Sequence, residues 1–199
     1  MKKAVVPFSE ELKFNCEHSL TIDTYKWTDN DYKPIVEVFL CHNNDKLKVK
    51  FIAYEKDIYI KSFDDNGRIW CDSCVEFFIR PFEDDERYIN FEINPVRAMI
   101  MSIGEDRNER KALVFDYKSQ LNVKTDSHSG FWTVQFEISF DMLCEIFENK
   151  KRLKSGDTIY GNFYKCGDET PDPHFGMWNE IDGPPNFHQS QYFGELILK

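Results

Sequence analysis

The stretch that most constrains this chain runs over 69–97, where two runs of alternating apolar and polar residues flank an acidic turn, Glu83-Asp84-Asp85-Glu86. Alternation on both sides of a short polar turn predicts a β-hairpin. Val75, Phe77 and Ile79 share one face of its first strand; Ile89, Phe91 and Ile93 share one face of its second. Burying both apolar sets together sets the register, because a slip of one residue would turn one set into water. Val75 then faces Ile93, Phe77 faces Phe91 and Ile79 faces Ile89. On the other face Glu76 meets Glu92, Phe78 meets Asn90 and Arg80 meets Tyr88. Two carboxylates directly opposite one another destabilise a strand pair. Something must compensate them, and that need is the first lead to function.

The remaining chain repeats the theme of short alternating runs between turns. Strands are expected at 21–27, 35–41, 46–54, 58–60, 98–103, 113–117, 120–125, 131–139, 159–166 and 192–198. The first 20 residues read as an irregular or edge-packing lead-in, with Pro7 breaking any early helix. One helix is expected over 139–149, with Leu143, Ile146 and Phe147 on its apolar side and Ser139 or Asp141 near its start. Many short strands and one lone helix predict an all-β fold, an antiparallel β-sandwich or jelly roll, formed as one domain over 1–199.

Composition narrows the partners. Net charge is −10 over 199 residues, and no basic stripe interrupts it, so nucleic acid and anionic membranes are set aside. Aromatic residues reach 16%, more than such a core needs, which places some rings at a binding surface. The first residues lack the apolar core of a secretory signal, and no apolar run approaches the ~20 residues of a membrane helix. Six scattered cysteines without such a signal are expected as reduced thiols in a cytoplasmic protein.

Five features are candidates for chemistry. The hairpin's polar face holds Glu76, Arg80, Tyr88, Asn90, Glu92 and Asn94. A solvated sheet face is the ordinary reading, but asparagine is depleted in strands, and amides, carboxylates and guanidinium groups match the hydroxyls of a sugar ring. Trp70, at the strand entrance, is either core packing or a stacking platform. The loop 167–191 includes Trp178, Phe187 and His188 and is long enough to imply a packed, functional segment. Glu76 with Glu92 also has the spacing of a glycosidase pair, ~5–5.5 Å in a retaining enzyme. Cys71-Asp-Ser-Cys74 is a lone C-x-x-C leading into a strand, and Cys166 with His174 is a distant second pair; both are weak as redox or zinc motifs. No Gly-rich phosphate loop and no H-E-x-x-H motif is present.

Trp70, Asp72-Ser73 and Val75-Glu76-Phe77-Phe78-Ile79 resemble the W-x-x-D-S-V-E-I-F-I signature of family 9 carbohydrate-binding modules, with Cys74 as one extra residue. Phe187-His188 followed by Tyr192-Phe193-Gly194-Glu195-Leu196-Ile197-Leu198 resembles the family's closing segment. The resemblance spans the chain from about Thr21 and implies a β-sandwich related to the DOMON superfamily. It also implies non-catalytic binding of a mono- or oligosaccharide, often at the reducing end, between two aromatic rings, with structural calcium. By position it makes Trp70 one wall, Phe187 the other (where the family has Trp) and Glu76 a hydroxyl acceptor. The family's sugar-binding Arg falls at Glu92, with Arg97 as a substitute, and its glutamine falls near Tyr164 or Lys165. The full expected sugar site is Trp70, Glu76, Asn90, Glu92, Arg97, Tyr164, Lys165, Trp178, Phe187 and His188. Two alternatives stand beside it: a glycoside hydrolase using Glu76 and Glu92, and a DOMON-like haem domain using Met99 or Met101 with His174 or His188.

Overall fold

The computed structural model of the chain describes residues 1–12, 19–148 and 150–199. Strands β1 (Lys3–Val6), β2 (Leu20–Ile22), β3 (Val36–His42) and β4 (Lys46–Ala53) come first. The hairpin strands β5 (Cys74–Arg80) and β6 (Tyr88–Ile93) lead to β7 (Met99–Gly104) and β8 (Lys111–Ala112). Helix α1 (Val114–Tyr117), β9 (Lys124–His128), β10 (Phe131–Ser139) and helix α2 (Phe140–Ile146) follow, then β11 (Thr158–Gly167), β12 (His174–Met177) and β13 (Gly194–Leu198). The larger sheet runs β1-β13-β11-β5-β6-β7-β8, with β12 beside the far half of β11; the smaller runs β2-β3-β4-β10-β9. Apart from the parallel pair of β1 with β13, neighbouring strands in both sheets are antiparallel.

The hairpin adopts the register its pattern demands: Val75 pairs with Ile93, Glu76 with Glu92, Phe77 with Phe91, Phe78 with Asn90 and Ile79 with Ile89. Its apolar face closes on the smaller sheet. Phe77 stacks on Phe163 of β11 at 4.6 Å, Phe91 packs on Phe136 of β10 at 5.5 Å, and Phe51 of β4 meets Phe163 edge-on. Leu47, Val49, Trp132, Val134 and Ile138 complete the same buried layer. Burial of this kind contributes about 1.5–3 kcal/mol per large side chain, and it fixes where the hairpin's other face must look.

The sandwich also encloses a charged cluster, and its polar atoms are all paired. Lys165 Nζ lies 3.2 Å from Glu55 Oε1 and donates to the Cys166 carbonyl and to His174 Nε2, both at 2.8 Å. Trp132 Nε1 and Ser73 Oγ donate to the same Glu55 carboxylate. Burial and the neighbouring ammonium hold the His174 pKa down at about 3, so its ring is neutral, with Nδ1–H donating to the Asp172 carbonyl.

Several elements differ from expectation. Residues 113–117 and 120–125 do not open as strands: Val114, Tyr117 and Leu121 recur at helical spacing, and α1 runs into a short 3-10 turn at Lys118–Gln120 before β9. Residues 58–60 form no strand, although Tyr59 exchanges bonds with Ser73. Helix α2 is shorter than 139–149, with Ser139 Oγ accepting from the Met142 N–H as its cap; position 149 lies outside the described residues. The lead-in supplies an edge strand, β1, and the long loop contains β12, whose four residues pair with the end of β11.

Candidate functional site

Strand alternation places a second set of side chains on the outer face of the larger sheet. Cys74, Glu76, Phe78 and Arg80 of β5 stand opposite Cys166, Tyr164, Asn162 and Tyr160 of β11, and opposite Asn90 and Glu92 of β6 for the middle two. In an ordinary sandwich this face meets water. Here residues 177–193 fold over part of it: Phe193, Ile181, Met177, Phe187 and Tyr192 pack against Phe78, Tyr88 and Tyr164. Trp178 pins this segment by burying its ring directly on Gly194, where a Cβ would come within 2.4 Å of the indole. Asn162 and Asn179 exchange bonds beside it.

A cavity of about 270 Å³ remains between this segment, the turn at Ile69–Cys71 and the loop after β7. Trp70, Phe187 and Trp27 form apolar walls, Glu76 and Glu92 lie within it, and Arg107, Arg110 and Asp168 add charge. Trp70 is held by its 3-10 turn, which the Asp72 carboxylate anchors by accepting from Lys61 N, Ser62 N and Asn94 Nδ2. Phe187 stacks on Tyr164 at 4.1 Å, and the Tyr164 hydroxyl donates to the Phe187 carbonyl. Trp27 packs on the Phe187 ring at 5.5 Å and donates its own N–H to the Gly183 carbonyl.

The facing carboxylates are compensated unequally. Asn90 Nδ2 donates to Glu92 Oε1 at 2.9 Å, and Arg110 Nη1 lies 3.6 Å from the same oxygen. The Cys166 thiol donates to Glu76 Oε1 at 2.9 Å. Burial nevertheless drives the Glu92 carboxyl up to about 7, opposed by Arg110 and Asn90. Burial, together with the Glu92 charge, drives Glu76 well above the usual carboxylate range. After all these bonds, Glu76 Oε2, Glu92 Oε2, Asn90 Oδ1 and Arg110 Nη1 remain buried with no hydrogen-bond partner among the described residues. A calcium ion asks for six to eight oxygen ligands. Around Glu76 the donors are carboxylates interleaved with the Cys74 and Cys166 thiols, so the anticipated calcium does not fit there.

Of the expected site residues, Trp70, Glu76, Glu92, Phe187 and His188 line this cavity. Asn90 lies beneath it as a donor to Glu92, and Tyr164 lies behind Phe187 as its support. Three residues are elsewhere. Lys165 has the opposite parity to Tyr164 and Cys166, so its side chain enters the sandwich interior. Trp178 is core, packed on Phe163 at 5.7 Å. Arg97 sits in the β6–β7 turn with φ 67°, beside a separate groove that includes Phe63 and Phe115. His188 takes part through Tyr88: burial and the nearby arginines lower its pKa to about 3, and the neutral ring's Nδ1 shares a 2.8 Å hydrogen bond with the Tyr88 hydroxyl. Met99 and Met101 lie in the core between the sheets, away from the outer face that holds His188. Trp27, Arg107, Arg110 and Asp168 were not singled out in the sequence; the one signal for the arginines was the unanswered charge of Glu92.

A family model described as Carbohydrate-binding family 9 matches residues 8–198, nearly the whole chain. The chain belongs to this family. Solved structures agree in fold. A Bacteroides uniformis chain designated a candidate carbohydrate-binding protein superposes with a TM-score of 0.85 at 25% identity, covering 100% of this chain and 99% of that one. A family 9 module from Caldicellulosiruptor kristjanssonii, solved with glucose, gives a TM-score of 0.70 at 12% identity, with 100% and 96% covered. The same organism's module with cellotriose gives 0.68 at 12% identity, with 100% and 94% covered. No curated protein sequence matches the chain.

Proposed function

We propose that this family member is a non-catalytic carbohydrate-binding domain whose ligand enters the cavity walled by Trp70 and Phe187. One observation carries the reading: one carboxylate oxygen each of Glu76 and Glu92 and a guanidinium nitrogen of Arg110 are buried without a hydrogen bond among the described residues, and all three residues line one cavity with aromatic walls. Buried polar atoms are almost always bonded, and leaving one unbonded costs about 1–3 kcal/mol. Two acceptors and one donor suit vicinal sugar hydroxyls, while the aromatic walls suit the apolar faces of a pyranose. Family membership supports this, as do the glucose and cellotriose held by the Caldicellulosiruptor modules. At about 270 Å³ the cavity is below the ~300–1,000 Å³ of most small-molecule sites, which favours one sugar ring or a chain end over an extended chain.

Glu76 and Glu92 lie side by side on adjacent strands. A hydrolase would instead place its acid and nucleophile on the two sides of a glycosidic bond. Calorimetric titration with a panel of mono- and disaccharides tests the reading. Binding of at least one sugar, weakened at least tenfold in Trp70→Ala and without turnover of chromogenic glycosides, is the expected result. No heat from any sugar would overturn it.

A further inference from the structure

The cysteines pair in a way their spacing in the chain does not suggest. Cys74, which the sequence groups with Cys71, instead stands directly across the β5–β11 ladder from Cys166. Glu76 follows two positions after Cys74 on the same face. The Sγ atoms of Cys74 and Cys166 and a Glu76 carboxylate oxygen all lie within 4.8 Å of one another, and all three residues are buried. Glu76 is 3% exposed and still has one carboxylate oxygen without a partner. Glu76 and Cys166 both line the cavity, so the cluster opens on that side.

We infer that Cys74, Cys166 and Glu76 form a binding site for one soft divalent cation, zinc by its donor set, with its fourth position toward the cavity. Two sulfurs and one oxygen are a zinc-type set, with bonds of about 2.3 Å to sulfur and 2.0–2.2 Å to oxygen, and three protein ligands leave a tetrahedral ion one open position. The same set is wrong for calcium or magnesium, which take oxygen. Binding is a ligand exchange without redox change: two thiol protons, and the proton on Glu76 when its carboxyl is neutral, pass to solvent as two sulfur–metal bonds and one oxygen–metal bond form, and the ion sheds water. The dication with two thiolates and one carboxylate carries one net negative charge. Bound through Oε2, such an ion would also give the orphaned Glu76 oxygen a partner that no described protein atom supplies.

The test uses the full-length chain without sugar, stripped with chelator and kept reduced, then titrated with Co²⁺ and Zn²⁺. The expected result is one Co²⁺ per chain, with a thiolate-to-cobalt charge-transfer band that Zn²⁺ bleaches. Cys71→Ser and Trp70→Ala should keep the band, Cys74→Ser and Cys166→Ser should abolish it, and Glu76→Gln should weaken retention at least tenfold. X-ray absorption of the zinc-loaded wild type should show two sulfurs at about 2.3 Å, which removes any dependence on how the variants fold. A zinc shell without sulfur, a band surviving in the double Cys74→Ser/Cys166→Ser variant, or a Cys74–Cys166 disulfide in place of metal would overturn the site. These outcomes are read on the metal alone in sugar-free protein; because Glu76 also faces the sugar cavity, sugar binding is tested separately by Trp70→Ala.

Discussion

Strand β11 carries two buried polar clusters on its opposite faces, and they differ in one respect. Inward, Lys165 has its three donor positions filled by Glu55, His174 and the Cys166 carbonyl, and Glu55 in turn accepts from Trp132 and Ser73. Outward, one position away, Cys166 meets Glu76 beside Glu92, and there Glu76 Oε2, Glu92 Oε2, Asn90 Oδ1 and Arg110 Nη1 have no hydrogen-bond partner among the described residues. Both clusters are secluded from water and rich in ionisable groups, so burial and charge alone do not separate structure from function. Completeness of hydrogen bonding does. A closed network has nothing left to offer a ligand, whereas an open one keeps donors and acceptors in reserve.

The largest test of this contrast is to open the closed cluster. Lys165→Met leaves the Glu55 carboxylate buried without its cation, and loss of one partner of a buried pair costs about 3–5 kcal/mol. Urea unfolding should show that loss; an unchanged midpoint would mean that the inner cluster is not structural. Next comes removal of a wall from the open cluster. Trp70→Ala should weaken sugar binding by ten- to a hundredfold, about 1.4–2.8 kcal/mol by calorimetry.

Glu92→Gln sharpens the comparison, because the two clusters should answer such changes with opposite signs. It keeps the shape but removes one of two like charges, so sugar affinity should fall about tenfold while stability stays level or rises by ~0.2–1 kcal/mol. A stability loss beyond that range would move Glu92 into the structural class. Acid should affect both clusters alike through their histidines. His174 and His188 titrate near 3 in the fold against about 6.5 when unfolded. Between those values the unfolded chain binds the extra protons, so their stabilising contribution is complete above about 6.5 and is lost as pH falls toward 3. The upward-shifted carboxyls of Glu76, Glu92 and Asp168 oppose this slope in the same window, so the difference between wild-type and His188→Phe melting curves from pH 4 to 7 isolates the histidine's part. The smallest effect belongs to Arg97→Gly: the turn has φ 67°, where glycine is at ease, so sugar affinity should not change and stability should hold or rise slightly.

What the sequence revealed follows from which forces are local. The hairpin register was legible because period-2 alternation and burial of Phe77 and Phe91 leave one solution, and Glu76 opposite Glu92 came with it. Trp70 and Phe187 were legible through the family's two end motifs. Arg110 was not: it arrives from a loop with no periodic pattern, and nothing local says that it will reach Glu92. Strand β12 was hidden for the opposite reason, since four residues after Pro173 make too short a run to register alternation. Lys165 illustrates a usable signal that went unused. Alternation along β11 allows Tyr164 and Cys166 to share a face but sends Lys165 to the other.

The stack behind Phe187 has a thermodynamic consequence. Tyr164 supports the ring from one side, the Tyr164 hydroxyl ties down the Phe187 carbonyl, and Trp27 packs against the ring as well. A wall braced in this way is ordered before any ligand arrives, so association need not include the entropy of arranging a loop. Discrimination among sugars should then appear in how slowly they leave, with entry rates that vary little from one ring to the next.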